Sequence, residues 1–282
     1  MKSHASCFFI GLFLATCTGI HAQWYKVKEL SDNVWVLDDH GSDNSYLVIG
    51  TDSALLIDTG LGLADLKSVV KKITDKPVIV VNTHGHPDHV GANYQFEKAY
   101  IHPADSASAR SFLTPSARER TAGMMTRGEG PAPGETYTGE IFTTRVIPVK
   151  EGDVFNLGGR QIEVMETPGH TPGEICLLDR EHKLLFTGDN NNSLVWLFLE
   201  NCLPLSEYLV TLKKQESRLE EFDTLFPGHG PPMRSDFILD QIQCVSSILD
   251  GTCESEPYES FAGNAMICTW GRAKVTFNPD NL

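Results

Sequence analysis

The sequence has few basic residues. Lys and Arg number 23 against 37 Asp and Glu, which gives a formal net charge of −14 over 282 residues. No basic stripe runs along the chain that would neutralise a phosphate backbone, so we exclude nucleic acid as a partner. The rest of the composition, with 41% hydrophobic and 21% charged residues, is typical of a globular protein rather than of a disordered chain.

Long apolar runs are also missing. An apolar run at residues 8–15 is too short for a transmembrane helix, and no other stretch approaches spanning length, so we expect no membrane span. This run follows Lys2 and precedes small residues before Gln23, which predicts a signal peptide over residues 1–22 and a secreted or periplasmic protein. An alternative interpretation places a lipid anchor on Cys17.

Cysteine is sparse and forms no CxxC pair, which argues against cysteine as the main metal ligand. Two of the seven cysteines lie in the predicted signal peptide. Among the others, Cys244, Cys253 and Cys268 allow one disulfide in an oxidising compartment, and the sequence does not assign its pairing. We expect Cys202 to be a small buried core residue rather than a ligand.

The hydrophobic pattern predicts an α/β domain, with short apolar runs as strands and apolar residues three and four apart as helices. The predicted strands cover residues 34–37, 45–49, 54–57, 78–81, 146–148, 154–155, 161–165, 175–178 and 184–186, with a final hairpin or edge strand in 265–277. The predicted helices cover residues 63–73, 106–120, 205–222 and 236–249. The strand–helix–strand unit at residues 54–81 predicts a parallel pair of strands.

Residues 104–144 differ in composition from the rest of the chain. They are rich in Ser, Thr, Gly, Pro and Ala, and strands resume beyond them. We interpret them as an insertion within a single domain that covers residues 23–282. The insertion carries Met124, Met125 and Tyr137, and it is either a lid over the site or a loosely packed surface segment.

A dense histidine motif, HGHPDH, follows the predicted buried strand at residues 78–81. Residues two apart in an extended backbone point the same way, so His84 and His86 can share one metal ion. Asp88 and His89 follow in a turn and can address a second position beside it. Imidazole and carboxylate groups are the ligands expected for zinc, and they also suit iron or manganese.

Three further segments place a candidate ligand at the end of a predicted strand. His170 lies in the turn PGHTPG, Asp189 follows an apolar strand, and His229 follows the apolar pair at residues 225–226. Each signal is weak alone, because a glycine-flanked histidine is often only a turn residue. Together with the motif at 84–89 they give five histidines and two aspartates at strand ends, where α/β sheets place their sites.

In order and context this set resembles the metal ligands of the metallo-β-lactamase superfamily, over nearly the whole chain after the predicted signal peptide. The resemblance implies a four-layer αββα sandwich, with two mixed sheets face to face and helices outside. It also implies one metal held by His84, His86 and His170, another held by Asp88, His89 and His229, and Asp189 as the bridge between them. Asp58, in the segment LIDTG, matches a family aspartate that supports the ligands from behind.

The resemblance implies an enzyme, a hydrolase that depends on two divalent metal ions, with zinc first and iron or manganese as alternatives. A hydroxide that bridges the ions would attack the carbonyl of an ester, thioester, lactone or amide of a small molecule. Asp88 would orient the attacking water and accept its proton, which makes it the candidate catalytic residue. The chain has no Gly-x-Ser-x-Gly nucleophile elbow, and this mechanism requires none.

Two other functions use a similar scaffold. Asp189 distinguishes the chain from β-lactamases with a cysteine ligand at that position and makes it more similar to hydrolases of the glyoxalase II and lactonase type. The acidic segment at residues 254–259 argues against a glutathione thioesterase. Hydrolysis of β-lactams is therefore the second hypothesis. A non-haem diiron oxidoreductase is the third, although such proteins usually have a glutamate in place of His86 and an attached flavodoxin domain.

The loop expected after Asp189 borders the predicted site. Its residues Trp196 and Phe198 either hold the body of a substrate or cap the core, and the sequence favours neither interpretation. Beyond the predicted signal peptide, three histidines belong to no motif, and we expect surface or packing roles for them: His40, His102 and His182.

Overall fold

The computed structural model describes residues 24–112 and 114–282. The predicted signal peptide at residues 1–22 and the alternative lipid anchor at Cys17 lie outside these residues. Within the described ranges, no helix is both long enough and apolar enough to cross a membrane.

Seventeen strands and six α-helices form the described chain, together with three short 3-10 helices. The strands are β1 (Tyr25–Ser31), β2 (Val34–Asp39), β3 (Asn44–Ile49), β4 (Ala54–Ile57), β5 (Val78–Val81), β6 (Lys98–Ile101), β7 (Arg145–Pro148), β8 (Val154–Asn156), β9 (Gln161–Glu166), β10 (Ile175–Asp179), β11 (Leu184–Gly188), β12 (Leu194–Leu197), β13 (Thr224–Pro227), β14 (Met233–Arg234), β15 (Glu256–Ser260), β16 (Gly263–Trp270) and β17 (Ala273–Phe277). The α-helices are α1 (Leu66–Ile73), α2 (Pro87–Val90), α3 (Ser106–Phe112), α4 (Pro115–Met125), α5 (Leu205–Glu216) and α6 (Phe237–Leu249). The 3-10 helices are Asn93–Gln95, Pro103–Asp105 and Leu219–Glu221.

The strands form three sheets. The first has seven strands in the order β1-β2-β3-β4-β5-β6-β7, and it changes from antiparallel to parallel pairing at β4. The predicted parallel pair is confirmed, with Ala54 of β4 opposite Val78 of β5. The second sheet has the order β14-β13-β11-β10-β9-β8, and the third has the order β12-β17-β16-β15.

The two larger sheets face each other, and helices cover their outer faces. Because strand residues alternate between faces, Leu55 of β4 points into the core between the sheets, where it meets Leu177 of β10. Leu56 points the other way and packs with α1. Leu178 likewise points outward and packs in a cluster with α5 and α6. The predicted four-layer αββα arrangement is confirmed.

Local chemistry explains where two predicted helices differ from the observed ones. The first begins at Leu66 rather than at residue 63, because Asp65 accepts a hydrogen bond from the Ser68 backbone N–H at 2.9 Å and caps the helix. The predicted helix at 106–120 is instead two helices, α3 and α4. Pro115 stands at the first position of α4, where its missing N–H costs nothing and its fixed φ favours a new start.

The third sheet is a correction to the sequence prediction. The loop expected after Asp189 contains β12. This strand pairs in parallel with β17, and Trp196 lies opposite Thr276. Its four apolar residues are as many as those of the predicted strand at residues 34–37, so the interpretation of the whole segment as a loop is wrong. The expected final hairpin is confirmed as β16 and β17, and β15 extends it by one strand.

Two of the described cysteines form a disulfide, and the other three are free and buried. Cys253 and Cys268 form a disulfide, which selects one of the pairings that the sequence left open. Cys244 is free and fully buried. Cys202 is also free and buried, so its predicted place in the core is confirmed.

Candidate metal centre

The seven predicted ligands lie at one edge of the facing sheets, each after the end of a strand. β5 leads into the HGHPDH motif, whose last residues form the short helix α2. In the second sheet, the β9–β10 loop carries His170, β11 ends next to Asp189, and β13 leads to His229. Strand ends from both sheets therefore bring residues up to 145 positions apart in sequence, from His84 to His229, into one site.

The ligand atoms of these residues form three overlapping groups of three, and within each group they lie within 4.8 Å of one another. The first group is His84, His86 and His170, the second is Asp88, His89 and His229, and the overlapping group is His84, His89 and Asp189. Asp189 therefore lies between the first and second groups. Its Oδ2 is 3.5 Å from His170 Nε2 in the first group and 3.3 Å from His229 Nε2 in the second.

Several of these atoms are buried and have no hydrogen-bond partner among the described residues, namely His84 Nε2, His89 Nε2 and Asp189 Oδ1. His89 Nε2 and Asp189 Oδ1 are 3.4 Å apart, but they lack hydrogen-bond geometry. A buried polar atom without a partner costs about 1–3 kcal/mol, so such atoms are rarely left unpaired. A set of imidazole nitrogens and carboxylate oxygens is what zinc, iron or manganese ions require, and the site fits divalent metal ions.

Asp58 and Thr83 orient two of the histidines. Asp58 Oδ2 accepts the Nδ1 proton of His89 at 2.9 Å, so Nε2 is the atom of that ring directed to the site. Thr83 donates its hydroxyl proton to Asp58 at 2.7 Å, and its oxygen accepts from His84 Nδ1 at 3.1 Å. Asp58 has a φ of 62°, a left-handed conformation that aspartate tolerates, and it lies where sequence analysis expected a supporting aspartate.

The backbone carbonyl group of Trp196 orients a third histidine. His170 Nδ1 is 2.7 Å from the carbonyl oxygen of Trp196, which fixes the proton on Nδ1 and leaves Nε2 toward the site. The thiol of Cys202 donates to the carbonyl of His170 at 3.2 Å, which places that residue behind the ligand and not among the ligands.

Asp105 and Glu174 also support the site, and sequence analysis did not identify them. The carboxylate of Asp105 accepts hydrogen bonds from Gly85 N–H at 2.8 Å, Thr171 Oγ1 at 2.7 Å and Gly173 N–H at 2.9 Å. It therefore joins the loop that carries His84 and His86 to the loop that carries His170. No local pattern could have indicated this role, because Asp105 is a lone acidic residue at the start of the insertion.

Glu174 fixes the backbone beside the residue that lies between the two groups. Its Oε1 accepts from the Asp189 N–H at 2.6 Å and from the Asn190 N–H at 3.1 Å. Burial, together with the nearby charge of Asp189, holds the pKa of Glu174 well above its usual range.

Burial and charge act in opposite directions on the histidines. Burial lowers the pKa of His84 well below its usual value and lowers that of His86 to about 3, so both rings are neutral, as metal ligands must be. Burial also opposes the charged form of His89, but the carboxylates of Asp189, Asp58 and Asp88 outweigh it and raise the pKa. The second group thus has a surplus of negative charge that favours a bound cation.

A cleft of about 650 Å³ opens above these groups and is lined by His86, Asp88, His170, Asp189 and His229 at its floor. Met125 and Arg127 of the insertion line one wall. Trp196 and Phe261 line another wall. Most of the surface of the whole cleft is apolar. The cleft has the size of sites that hold small molecules.

The structure distinguishes between the interpretations that the sequence left open. Trp196 lines the cleft, whereas Phe198 packs behind it at 5.3 Å between ring centroids. Met125 of the insertion faces the cleft. Tyr137 does not line it, and packs instead on Tyr94 at 5.7 Å. Met124 is also outside the cleft lining and is exposed at the surface.

The three histidines outside the motifs have the expected packing or surface contacts, with one addition. His102 lies 3.2 Å from Glu166, and His182 lies 2.9 Å from Asp179. His40 stacks on Trp24 at 4.2 Å. It also lines the cleft and lies 2.9 Å from Glu129 of the insertion, so its predicted role was too narrow.

Comparison with known proteins places this geometry in a family. Residues 38–237 match the model of the metallo-beta-lactamase superfamily. The chain is 30% identical over 236 residues to the protein named "Acyl-coenzyme A thioesterase MBLAC2" from Homo sapiens, with 73% of this chain and 81% of the relative covered.

Solved structures share the fold at low sequence identity. The metallo-beta-lactamase from Pontibacter korlensis is 19% identical with a TM-score of 0.56, and the match covers 79% of this chain and 99% of that one. The stereoselective inverting sec-alkylsulfatase Pisa1 from Pseudomonas sp. is 18% identical with a TM-score of 0.63, and the match covers 80% and 42% of the two chains.

The fold and the paired histidine and aspartate groups define a metal-dependent hydrolase. The chain belongs to the metallo-beta-lactamase superfamily. The family resemblance inferred from the sequence motifs is therefore confirmed.

Proposed function

We propose that the protein hydrolyses a thioester or ester bond of a small molecule at a dinuclear metal centre, with zinc as the metal. The observation that carries the dinuclear centre is the position of Asp189, whose Oδ2 lies within 3.5 Å of Nε2 atoms from both ligand groups. The choice of a thioester or ester is supported by the 30% identity to a relative named as an acyl-coenzyme A thioesterase.

The two groups of side chains are the proposed metal ligands. His84, His86 and His170 hold the first ion, and Asp88, His89 and His229 hold the second. Asp189 contributes to both, because its carboxylate has oxygens directed to each group. The unpaired buried nitrogens of His84 and His89 support this assignment, since an ion supplies the partner that each one lacks.

Two bound divalent ions would supply Lewis acidity, which polarises the scissile carbonyl and lowers the pKa of water toward about 7. Asp88 lies at the floor of the cleft, with its Oδ2 3.5 Å from His229 Nε2. From this position its carboxylate orients the attacking water and accepts a proton from it. Asp58, Thr83 and the Trp196 carbonyl keep the histidine rings in the tautomers that this arrangement needs.

The test combines metal analysis with a substrate panel. The purified protein would be assayed by inductively coupled plasma mass spectrometry and against thioesters, aryl esters, lactones and a β-lactam. We expect about two zinc ions per chain and fastest turnover of thioesters or esters. Turnover should be lost in Asp189→Ala and Asp88→Ala but retained in the exposed control Asp75→Ala. Two iron ions without turnover of any carbonyl substrate would contradict the proposal and favour a redox function.

We also propose export to an oxidising compartment, on the basis of the predicted signal peptide and of the Cys253–Cys268 disulfide. Mass spectrometry of the protein from its native cells tests this. We expect a mature chain that begins at Gln23, with those two cysteines oxidised. A chain that retains residues 1–22 and has reduced cysteines would contradict it, and a lipid mass on Cys17 would select the anchored form.

A further inference from the structure

The turn of the β15–β16 hairpin presents an unusually exposed aromatic residue to the cleft. Phe261 is 64% exposed and lines the cleft together with Ala262. Its ring lies 5.5 Å from that of Trp196, measured between centroids. Exposed rings that adjoin each other in the lining of a cleft form apolar surface available to a ligand.

Phe261 belongs to a continuous group of four rings. Behind it, Trp196 contacts Phe198 at 5.3 Å and Tyr258 at 6.4 Å, and these last two are 6.2 Å from each other. We call Trp196, Phe198, Tyr258 and Phe261 the aromatic wall. Trp196 and Phe261 form its surface toward the cleft, and the other two support it.

The aromatic wall is connected directly to the metal centre. The Trp196 carbonyl oxygen accepts the hydrogen bond from His170 Nδ1 at 2.7 Å, so one residue of the wall is bonded directly to a proposed ligand. Leu194, Leu199 and Met125 extend the apolar lining of the same cleft. A group attached to a carbonyl at the metal centre therefore meets this lining without leaving the cleft.

Strand pairing and a turn hydrogen bond hold the wall in place. The hairpin strands pair from Glu256 opposite Ile267 to Ser260 opposite Gly263, and the Ser260 hydroxyl accepts from the Ala262 N–H at 3.1 Å within the turn. β16 pairs with β17, which pairs with the strand that carries Trp196. The exposure of Phe261 is thus a property of an ordered hairpin.

Away from its floor, the cleft offers few cationic partners. Among the described residues that line it, Arg127 is the only Lys or Arg, and Glu129, two positions further along the chain, lines the same cleft. The proposed metal ions add positive charge only at the floor, whereas a polyphosphate carrier would also require several cationic partners along the wall. The hairpin also lies beyond residue 237, where the family match ends, so it can determine selectivity without altering the shared chemistry.

We propose that the aromatic wall binds the apolar acyl chain of the substrate, so that the protein prefers thioesters or esters of longer apolar acyl chains over acetyl, on small carriers that lack a polyphosphate group. This inference rests on the proposed hydrolase function. It adds a specificity-determining residue, Phe261, on a segment outside the residues that match the family.

Kinetics with matched substrates test the proposal. Octanoyl and acetyl thioesters of N-acetylcysteamine share one leaving group, and S-octyl thioacetate places the chain on the other side of the bond. In the wild-type protein we expect kcat/KM to favour octanoyl over acetyl. In Phe261→Ala we expect the octanoyl value to fall about tenfold, equivalent to about 1.4 kcal/mol, with the acetyl value unchanged. Phe261→Leu should retain most of the preference.

Trp270→Ala is the matched control, because Trp270 is an exposed aromatic residue at the other end of β16 and does not line the cleft. Calorimetric titration with octanamide and acetamide provides a readout that does not depend on turnover, and we expect Phe261→Ala to weaken only the binding of octanamide. An unchanged octanoyl-to-acetyl ratio in Phe261→Ala, or a chain-length effect confined to S-octyl thioacetate, would overturn the acyl subsite. Absence of turnover of every substrate in the wild-type protein would instead contradict the proposed function.

Discussion

Asp105 Oδ2 accepts a hydrogen bond from the backbone N–H of Gly85 at 2.8 Å, in the middle of the HGHPDH motif. The same carboxylate also holds Thr171 and Gly173, next to His170. One buried side chain at the start of the insertion thus sets the distance between the two loops that carry the first ligand group. The insertion is therefore part of the framework of the site as well as one wall of the cleft.

We expect Asp105→Ala to weaken metal binding at the first group about 10- to 100-fold, because the loops that position His84 and His170 lose their shared acceptor. The unpaired N–H groups should also lower the free energy of unfolding by about 3 kcal/mol. Zinc titration against a competing chelator and urea unfolding measure the two effects. Asp75→Ala, at an exposed position, is the control, and equal metal affinity in both variants would contradict the role of Asp105.

Glu174 allows a test of hydrogen bonding without a change in shape. Glu174→Gln keeps a side-chain oxygen that can accept from the Asp189 and Asn190 N–H groups, so we expect kcat within about threefold of wild type and a change in stability of about 1 kcal/mol or less. Glu174→Ala removes the acceptor and leaves a cavity, and it should cost about 3 kcal/mol. Steady-state kinetics and thermal unfolding of both variants check this, and equal losses in the two would show that the hydrogen bonds do not matter.

Asp58→Asn should weaken the second ligand group more than the first. Asp58 Oδ2 accepts the His89 Nδ1 proton at 2.9 Å directly, whereas it reaches His84 of the first group only through the Thr83 hydroxyl at 2.7 Å. An amide nitrogen in that place would favour the other tautomer of the His89 ring. We expect the second ion to bind about 10- to 100-fold more weakly and the first ion to be affected less. Metal content at increasing chelator concentration measures this. The exposed Asp52→Asn is the control, and equal weakening of both ions in Asp58→Asn would contradict the direct role of Asp58 in the second group.

The disulfide should stabilise the C-terminal hairpin. Cys253 and Cys268 are 15 positions apart, and closing a loop of that length stabilises a fold by about 3 kcal/mol in the chain-entropy model. We therefore expect Cys253→Ser to lower the free energy of unfolding by about that amount. Reductant should destabilise the wild-type protein to a similar degree and leave the variant unaffected. A variant that responds to reductant as the wild type does would contradict a contribution from this bond.

The sequence by itself determined the fold class and the side chains that converge at the candidate metal centre. The HGHPDH motif, His170, Asp189 and His229 each follow a strand whose apolar pattern is local and can be read from neighbouring residues. Because parallel strand ends meet at one edge, that pattern was enough to predict which side chains converge. The supporting position of Asp58 was implied by the family resemblance of the segment LIDTG, which the structure places directly after β4.

The tertiary structure alone decided what surrounds those ligands. Asp105 is 66 positions from Thr171, and Phe261 is 65 positions from Trp196, so no local periodicity connects either pair. The third sheet has the same origin, since Leu194 of β12 pairs with Lys274 of β17, 80 positions further along the chain. A metal ligand needs a particular residue type at a strand end, which leaves a motif in the sequence. A supporting carboxylate or a cleft wall needs only the right position in space, and packing between distant segments determines that position.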